Sequence, residues 1–285
     1  MKTITTIPEM KAAISGHKSA GRTIGFVPTM GFLHEGHLSL VRAARKKADV
    51  TVVSIFVNPA QFGPKEDLKT YPRDLSRDSA MLEKEGVDYV FHPEAGDIYP
   101  HGYKTYVEVR DLQEKLCGRS RPEHFRGVCT VVLKLFQIVG PDIAFFGEKD
   151  AQQAIILRKM VRDLNLDVQV DVMPIVREAD GLAMSSRNTY LSPEERAAAL
   201  VLAKSLEAAK RQIEHGEQRA GIILDGIRAM IGQESLARID YAEAVDTEDL
   251  DPVKEIVKGT LIALAVYIGA TRLIDNIIIG EKAIR

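Results

Sequence analysis

Short runs of β-branched residues alternate with helix-patterned stretches through about the first 175 residues of this 285-residue chain. Each run is apolar enough to be covered on both faces, which is typical of strands inside a parallel sheet. The predicted strands are Thr23 to Val27, Val50 to Val57, Asp88 to Phe91, Ile143 to Phe146 and Val168 to Val176. Apolar stripes at helical spacing predict helices over Gly36 to Ala48, Leu75 to Glu85, Val128 to Val139 and Ala151 to Leu164. The pattern predicts an α/β fold with a doubly wound parallel sheet.

The pattern changes after residue 176. A charged loop precedes Ser192-Pro193-Glu194-Glu195, which reads as an N-cap, a proline at the first helical position and acids in the first turn. A long helix is expected from there to Gly216 and a second from Arg219 to Ile231. Strands are expected at Ile239 to Val245 and on both sides of a turn after Gly259. Because the chain is long for one hydrophobic core, we predict two domains, a Rossmann-like domain over 1–176 and a smaller α+β domain over 177–285.

Composition narrows the partners of the chain. The formal net charge is -2 and there is no long Lys/Arg block, so the electrostatic footprint of a nucleic-acid binder is missing. Cys117 and Cys129 are too few for a disulfide framework, which fits a reducing compartment. The sequence contains neither an apolar run of signal-peptide length at its start nor a run long enough to span a membrane. We therefore expect a cytoplasmic protein with small-molecule partners, and neither nucleic acid nor membrane.

The most informative segment is Pro28 to His37, which lies where the first predicted strand ends and a helix begins. Ligands of open α/β sheets bind at such carboxyl ends. His34 and His37 are three residues apart, so on a helical first turn they share one face beside backbone amides that can donate to a phosphate. Gly31 and Gly36 permit the tight turn and close backbone approach of an anion site. The alternative is a surface turn with two incidental histidines.

His34-Glu35-Gly36-His37 resembles the HxGH signature of the nucleotidyltransferase superfamily, whose members transfer or exploit an adenylyl group. Five further segments resemble those of the pantothenate synthetase family, in the family's order: Phe56 to Gly63, Tyr71 to Arg73, Arg121 to Val128, Phe146 to Asp150 and Met184 to Asn188. The resemblance covers essentially the whole chain. It implies an ATP-dependent ligase that condenses pantoate with β-alanine through a pantoyl adenylate and releases AMP and pyrophosphate. It also implies Mg²⁺ together with ATP, a second domain that acts as a lid, and a homodimer.

His34, His37, Lys149 and Arg187 are the expected catalytic residues, since charge that moves toward pyrophosphate needs donors and cations fixed on the phosphoryl oxygens. The resemblance implies ATP contacts at Met30, Gly31, Phe32, Leu33, His34, Glu35, Gly36, His37, Gly147, Glu148, Lys149, Asp150, Val176, Met184, Ser185, Ser186 and Arg187. A Ser-Ser-Arg loop alone is more typical of a solvated turn. Its position between the two predicted domains makes it a candidate phosphate clamp.

Asn58 and Gln61 follow the second predicted strand, where neutral amides can donate to a carboxylate or hydroxyl without titrating. The resemblance implies that Gln61 and Gln153 bind pantoate; solvated turn and helix residues are the alternative. Arg121 and His124 are candidates to hold the second substrate's carboxylate or the pyrophosphate, or merely to order the loop before the next helix.

Asp78 is the candidate carboxylate for Mg²⁺, although acids in the first turn of a helix commonly only complement its dipole.

Three rival functions share parts of this pattern. A nucleotidyltransferase acting on a phosphorylated acceptor would need cations at the position where this chain offers Asn58, Gln61 and Gln153. A non-catalytic nucleotide sensor, in which ATP moves one domain against the other, stays open. An aminoacyl-tRNA synthetase uses HxGH-like chemistry as well, but this chain is short and shows no basic tRNA-binding extension.

Overall fold

The structure, a computed structural model, describes residues 1–64 and 66–280. Its strands are β1 (Lys2–Ile4), β2 (Ile24–Thr29), β3 (Val50–Ile55), β4 (Tyr89–Phe91), β5 (Ile143–Gly147), β6 (Gln169–Met173), β7 (Ala237–Val245), β8 (Leu261–Ile268) and β9 (Thr271–Ile278). Its helices are α1 (Ile7–Ser19), α2 (Glu35–Lys47), α3 (Leu75–Lys84), α4 (Ala95–Ile98), α5 (Cys117–Ser120), α6 (His124–Val139), α7 (Ala151–Asp163), α8 (Pro193–Ala198), α9 (Leu200–Glu214) and α10 (Ala220–Gly232). Over these described ranges, no helix combines the length and the apolar character that crossing a bilayer requires.

The larger sheet has six parallel strands in the order β1-β4-β3-β2-β5-β6. The chain runs from β2 through β3 to β4 on one side and then continues on the other side of β2 with β5 and β6. Such a reversal opens a crevice at the carboxyl ends of the two central strands, β2 and β5. Neighbouring residues face opposite layers: Phe26 and Phe146 pack with α1, α6 and α7, while Val27 and Phe145 pack with α2 and α3. This confirms the predicted doubly wound α/β fold.

The smaller sheet is antiparallel, in the order β7-β8-β9. One face of β8, with Leu261 and Ala263, packs against the core of the large sheet. The other face, with Ile262 and Leu264, packs with α8, α9 and α10 in a core of its own. The predicted α+β part and its turn after β8 are therefore confirmed. The two parts share an apolar contact. The domain boundary at residue 176 stays a prediction.

Several features differ from the sequence prediction. Helix α1 was not predicted, because its only buried side chains are Met10 and Ile14 and its apolar stripe is weak. β1 was missed because a strand of three residues gives almost no periodic signal. The long helix predicted to reach Gly216 is divided at Ala199, where the amide of Leu202 donates to the Ala199 carbonyl and tightens one turn. The strand predicted over Val168 to Val176 ends at Met173, since the following Pro174 has no N–H for the ladder.

Candidate active site

The loop between β2 and α2 forms the first wall of the site. It turns at Gly31 and Phe32, whose φ angles of 85° and 49° are both left-handed. A Cβ at Gly31 would lie 2.9 Å from Ile55 Cγ2, so glycine alone fits there without a shift. Asp78 of α3 supports the turn from behind, because its carboxylate accepts from the amides of Phe32 at 2.6 Å and Leu33 at 2.8 Å. These contacts hold the loop in its turn.

The two histidines lie at the N-terminus of α2, with ring centroids 4.0 Å apart. His34 Nδ1 accepts from the Gly36 amide at 3.2 Å, and His37 Nδ1 accepts from the His34 amide at 3.3 Å. These bonds assign the proton of each neutral ring to Nε2. Burial, with a smaller contribution from Lys149, lowers the pKa of His34 to about 4. Burial and the adjacent His34 ring hold the pKa of His37 well below its ordinary value. At pH 7 both rings are neutral N–H donors.

The second wall follows β5. A 3₁₀ turn places Lys149 at the crevice, with Nζ 3.4 Å from Asp150 Oδ2. Asn276 of β9 donates to the carbonyl oxygens of Glu148 and Lys149, at 3.0 Å each. Gln153 follows in the first turn of α7. The small sheet therefore holds the turn that presents the lysine.

Residues 184–187 form the third wall. Ser186 Oγ donates to the Phe32 carbonyl at 3.2 Å, which ties this segment to the first loop. Arg187 donates through Nε and Nη2 to the two carboxylate oxygens of Asp67, at 3.0 and 2.9 Å. This bidentate pair fixes the guanidinium but offsets its charge. A triphosphate would therefore have to share Arg187 with Asp67 or displace Asp67.

The fourth wall carries the predicted acid-binding residues. Arg121 donates to both oxygens of Glu66, at 2.8 and 2.6 Å, and its Nη1 lies 3.1 Å from His124 Nε2. His124 Nδ1 lies 2.9 Å from the Gln61 carbonyl oxygen. Burial, and then the neighbouring guanidinium, lowers the pKa of His124 to about 3, so this ring is neutral. Arg121 and His124 therefore bind the segment that carries Gln61, and a contact of either with a substrate or pyrophosphate stays a prediction.

The four walls enclose a cavity of about 240 Å³. Most of the predicted site residues line it: Met30, His34, Gly36, His37, Asn58, Gln61, Arg121, His124, Gly147, Lys149, Asp150, Gln153, Val176, Met184, Ser185, Ser186 and Arg187. The remaining ones are not part of the lining: Gly31, Phe32, Leu33, Glu35, Asp78 and Glu148. The fold thus brings one cavity together from segments that are far apart in the sequence.

Asp78 lies behind the first loop and not in the lining of the cavity. Only 1% of the residue is exposed, and both carboxylate oxygens accept from backbone amides. Burial raises its pKa despite these donors. In the part of the chain that the structure describes, no group of three or more His, Cys, Asp and Glu residues could hold a metal ion. A magnesium contact by Asp78 stays a prediction, and its observed contacts are those of a residue that holds the loop.

Sequence analysis missed an apolar side of the cavity. Val128, Val131, Val132 and Leu135 of α6 line it. Their spacing correctly predicted a buried helix face, but periodicity cannot distinguish a face that meets core from one that meets a ligand. Tyr71 also lines the cavity; its segment was noted only for its resemblance to the family.

Comparison with known proteins identifies the family. A family model described as pantoate-beta-alanine ligase matches residues 2–278. The chain belongs to the pantoate-beta-alanine ligase family. Among curated members, it is 56% identical over 281 residues to the pantothenate synthetase of Pelotomaculum thermopropionicum, covering 99% of this chain and 100% of that protein. It is 59% identical over 280 residues to the pantothenate synthetase of Thermosipho melanesiensis, covering 98% and 100%.

Solved structures of pantoate-beta-alanine ligases have the same fold. The pantothenate synthetase of Thermus thermophilus superimposes with a TM-score of 0.93 at 45% identity, covering 97% of this chain and 99% of that one. The ligase of Francisella tularensis, described as complexed with beta-gamma ATP and beta-alanine, gives a TM-score of 0.80 at 36% identity, covering 98% and 97%. The resemblance found in the sequence is therefore confirmed at the level of the family and the fold.

Proposed function

We propose that this protein joins pantoate to β-alanine with ATP, through a pantoyl adenylate, and releases AMP and pyrophosphate. The observation that carries the proposal is one cavity that is lined by His34, His37 and Lys149 together with Gln61 and Gln153. Cations and N–H donors suit phosphate oxygens, whereas neutral amides suit a carboxylate or hydroxyl. The Francisella tularensis relative, described as complexed with beta-gamma ATP and beta-alanine, supports ATP and β-alanine as the partners.

In the first half-reaction a carboxylate oxygen of pantoate attacks the α-phosphorus of ATP. The new oxygen–phosphorus bond forms as the bond to the β-phosphate oxygen breaks, and pyrophosphate leaves. His34 and His37 are neutral, so they donate hydrogen bonds from Nε2 to phosphate oxygens. Lys149 supplies positive charge to the phosphates. Arg187 supplies more when its guanidinium binds a phosphate oxygen as well as Asp67. No enzyme base is required, because the attacking carboxylate is already ionised at pH 7.

The lining of the cavity matches pantoate in a second respect, besides the amides of Gln61 and Gln153. Pantoate carries a carbon with two methyl groups between its hydroxyl-bearing carbons. Val131, Val132 and Leu135 supply apolar surface in the same cavity as Gln61 and Gln153. An acid with both methyl and hydroxyl groups can therefore satisfy both surfaces at once.

In the second half-reaction the neutral amine of β-alanine attacks the acyl carbon of the adenylate. The carbon–nitrogen bond forms, the bond from the acyl carbon to the AMP oxygen breaks, and the amine loses one proton to solvent. Holding both reactants in one cavity supplies the orientation for this step.

Mg²⁺ enters as part of MgATP. Residues 177–285 would act as a lid on residues 1–176 through the segment of Ser185 and Arg187; this division, the homodimer and the cytoplasmic location stay predictions.

Pyrophosphate release tests the proposal against its rivals. Purified protein is given MgATP and pantoate, with and without β-alanine, and pyrophosphate, AMP and pantothenate are measured. We expect pyrophosphate only when pantoate is present, and pantothenate with AMP when β-alanine is added. His37→Ala should abolish the formation of pyrophosphate and of pantothenate. His215 is an exposed histidine at the end of α9, and His215→Ala should leave the formation of both products unchanged. No ATP cleavage with pantoate would exclude the ligase and favour a transferase or a nucleotide sensor.

A further inference from the structure

Asn58 uses its whole hydrogen-bonding capacity inside the protein. It is 1% exposed, and its amide offers two donor hydrogens and two acceptor lone pairs. Oδ1 accepts from Tyr99 Oη at 2.8 Å and from the Ala60 amide at 3.3 Å. Nδ2 donates to Gln61 Oε1 at 3.0 Å and to the Gly127 carbonyl at 3.1 Å. Asn58 reaches the cavity lining, but these four hydrogen bonds all go to protein groups, and its role as a direct ligand of the substrate stays a prediction.

Two backbone groups fix which way the Asn58 amide faces. The Ala60 N–H can only donate and the Gly127 carbonyl can only accept. Turning the Asn58 amide over would set donor against donor and acceptor against acceptor. Nδ2 must therefore face Gln61, whose Oε1 accepts the bond. The other end of the Gln61 amide, Nε2, lies 3.2 Å from Met30 Sδ, and both side chains line the cavity. The orientation of the Gln61 amide thus makes Nε2, a hydrogen-bond donor, the end that points away from Asn58.

Tyr99 makes the shortest of the four bonds to Asn58 and stands behind it, outside the lining of the cavity. Its ring packs edge-on against Tyr103, with centroids 5.1 Å apart, and lies 6.5 Å from the Phe56 ring. Burial and the neighbouring phenols raise the pKa of Tyr99, so its hydroxyl stays protonated. The hydroxyl is therefore a permanent donor to Asn58 Oδ1.

We propose that Tyr99 is a positioning residue for the acid substrate: through Asn58 it holds the Gln61 amide with Nε2 toward the cavity, ready to donate to an oxygen of pantoate. The inference rests on the proposed function and states how that site selects its acid. An acceptor group, carboxylate or hydroxyl, is favoured at this point, whereas an amide N–H or ammonium group would meet a donor. Neither Tyr99 nor its contact with Asn58 belongs to the predicted site.

Tyr99→Phe tests the proposal because it removes only the hydroxyl. We expect the KM for pantoate to rise about 2- to 12-fold, the range that the loss of one neutral hydrogen bond produces. The KM for ATP should stay within about 2-fold of the wild-type value, since Gln61 is proposed to bind pantoate and not ATP. Tyr103→Phe is the matched control: it makes the same deletion in the adjacent ring, whose hydroxyl is not one of the four partners of Asn58. It should leave both KM values unchanged.

A double-mutant cycle shows whether Tyr99 acts through Gln61. In a Gln61→Ala background, Tyr99→Phe should have no further effect on the KM for pantoate, because there is no amide left to orient. The same rise in both backgrounds, or equal effects of Tyr99→Phe and Tyr103→Phe, would overturn the inference. A lower melting temperature without a selective rise in the KM for pantoate would also overturn it, as a purely structural role predicts. If the wild type does not cleave ATP with pantoate, the proposed function fails as well.

Discussion

Replacing Asp78 with asparagine tests whether a buried carboxylate holds the first loop of the site. In the structure its two oxygens accept from the amides of Phe32 at 2.6 Å and Leu33 at 2.8 Å. Asparagine has nearly the same shape but only one side-chain oxygen, so its NH₂ group would face one of these N–H groups. One loop amide would then lie in a buried position without an acceptor.

The size of the effect follows from these two bonds. A hydrogen bond to a charged group contributes about 1.5–3 kcal/mol, and a buried donor left without a partner costs about 1–3 kcal/mol. The two figures partly describe the same lost contact, so we expect Asp78→Asn to lower the free energy of unfolding by about 2–4 kcal/mol. The left-handed φ of Phe32, 49°, makes the loop depend on these bonds. ATP should therefore bind more weakly as well.

Urea denaturation followed by circular dichroism measures the free energy of unfolding, with Mg²⁺ and with EDTA. Asp74→Asn is the matched control, since Asp74 is the exposed N-cap of the same helix and asparagine caps helices as well as aspartate does. Asp78→Asn should lose the same free energy in both buffers. A loss within about 0.5 kcal/mol of the control, or one seen only with Mg²⁺, would refute the reasoning. The second result would favour the magnesium role instead.

Two further predictions concern the histidines and the packing under Gln61. A ¹⁵N NMR titration should show that His34 and His37 are neutral at pH 7, with the ring proton on Nε2. The pKa of His34 in the folded protein, about 4, lies below its ordinary 6.5, so the unfolded state binds more protons between these values. The free energy of unfolding should therefore decrease as the pH is lowered from 6.5 to 4. A pKa near 6.5 for either ring would contradict this. Gly127→Ala should lower the free energy of unfolding by about 1–3 kcal/mol and weaken pantoate use, because the new Cβ would lie 2.2 Å from the Ala60 carbonyl oxygen. Gly221→Ala, a helix position with no atom within 4 Å, should stabilise by about 0.5–1 kcal/mol, and equal effects of the two would contradict the close approach.

Local periodicity was enough to predict most of the two sheets and their helices. β2, β3 and β5 begin within one residue of the prediction, because runs of buried β-branched residues are bounded by polar turns. The segment around His34 could be placed at the crevice for the same reason, since it directly follows a strand. Strand order is not a local property, so the meeting of His37 with Lys149 came from the family resemblance and not from periodicity.

The sequence could not tell which of the polar side chains at the cavity are bound by other protein groups. An asparagine after a strand can donate to a substrate or to its neighbours, and two of the groups that bind Asn58 belong to Tyr99 and Gly127, which are distant in the chain. The same holds for Arg121, whose guanidinium is engaged by Glu66. Residue type fixes what a group can bind, whereas the tertiary fold fixes which partner it meets.

The fate of the carboxylate oxygens tests the central claim, adenylation of pantoate, most directly. Pantoate labelled with ¹⁸O in its carboxylate is converted with MgATP and β-alanine, and the products are analysed by mass spectrometry. Attack on the α-phosphorus predicts that one labelled oxygen appears in AMP and the other stays in the amide of pantothenate. Labelled inorganic phosphate together with ADP, or unlabelled AMP, would contradict the account, because the acid would then have been activated at another phosphate or not at all.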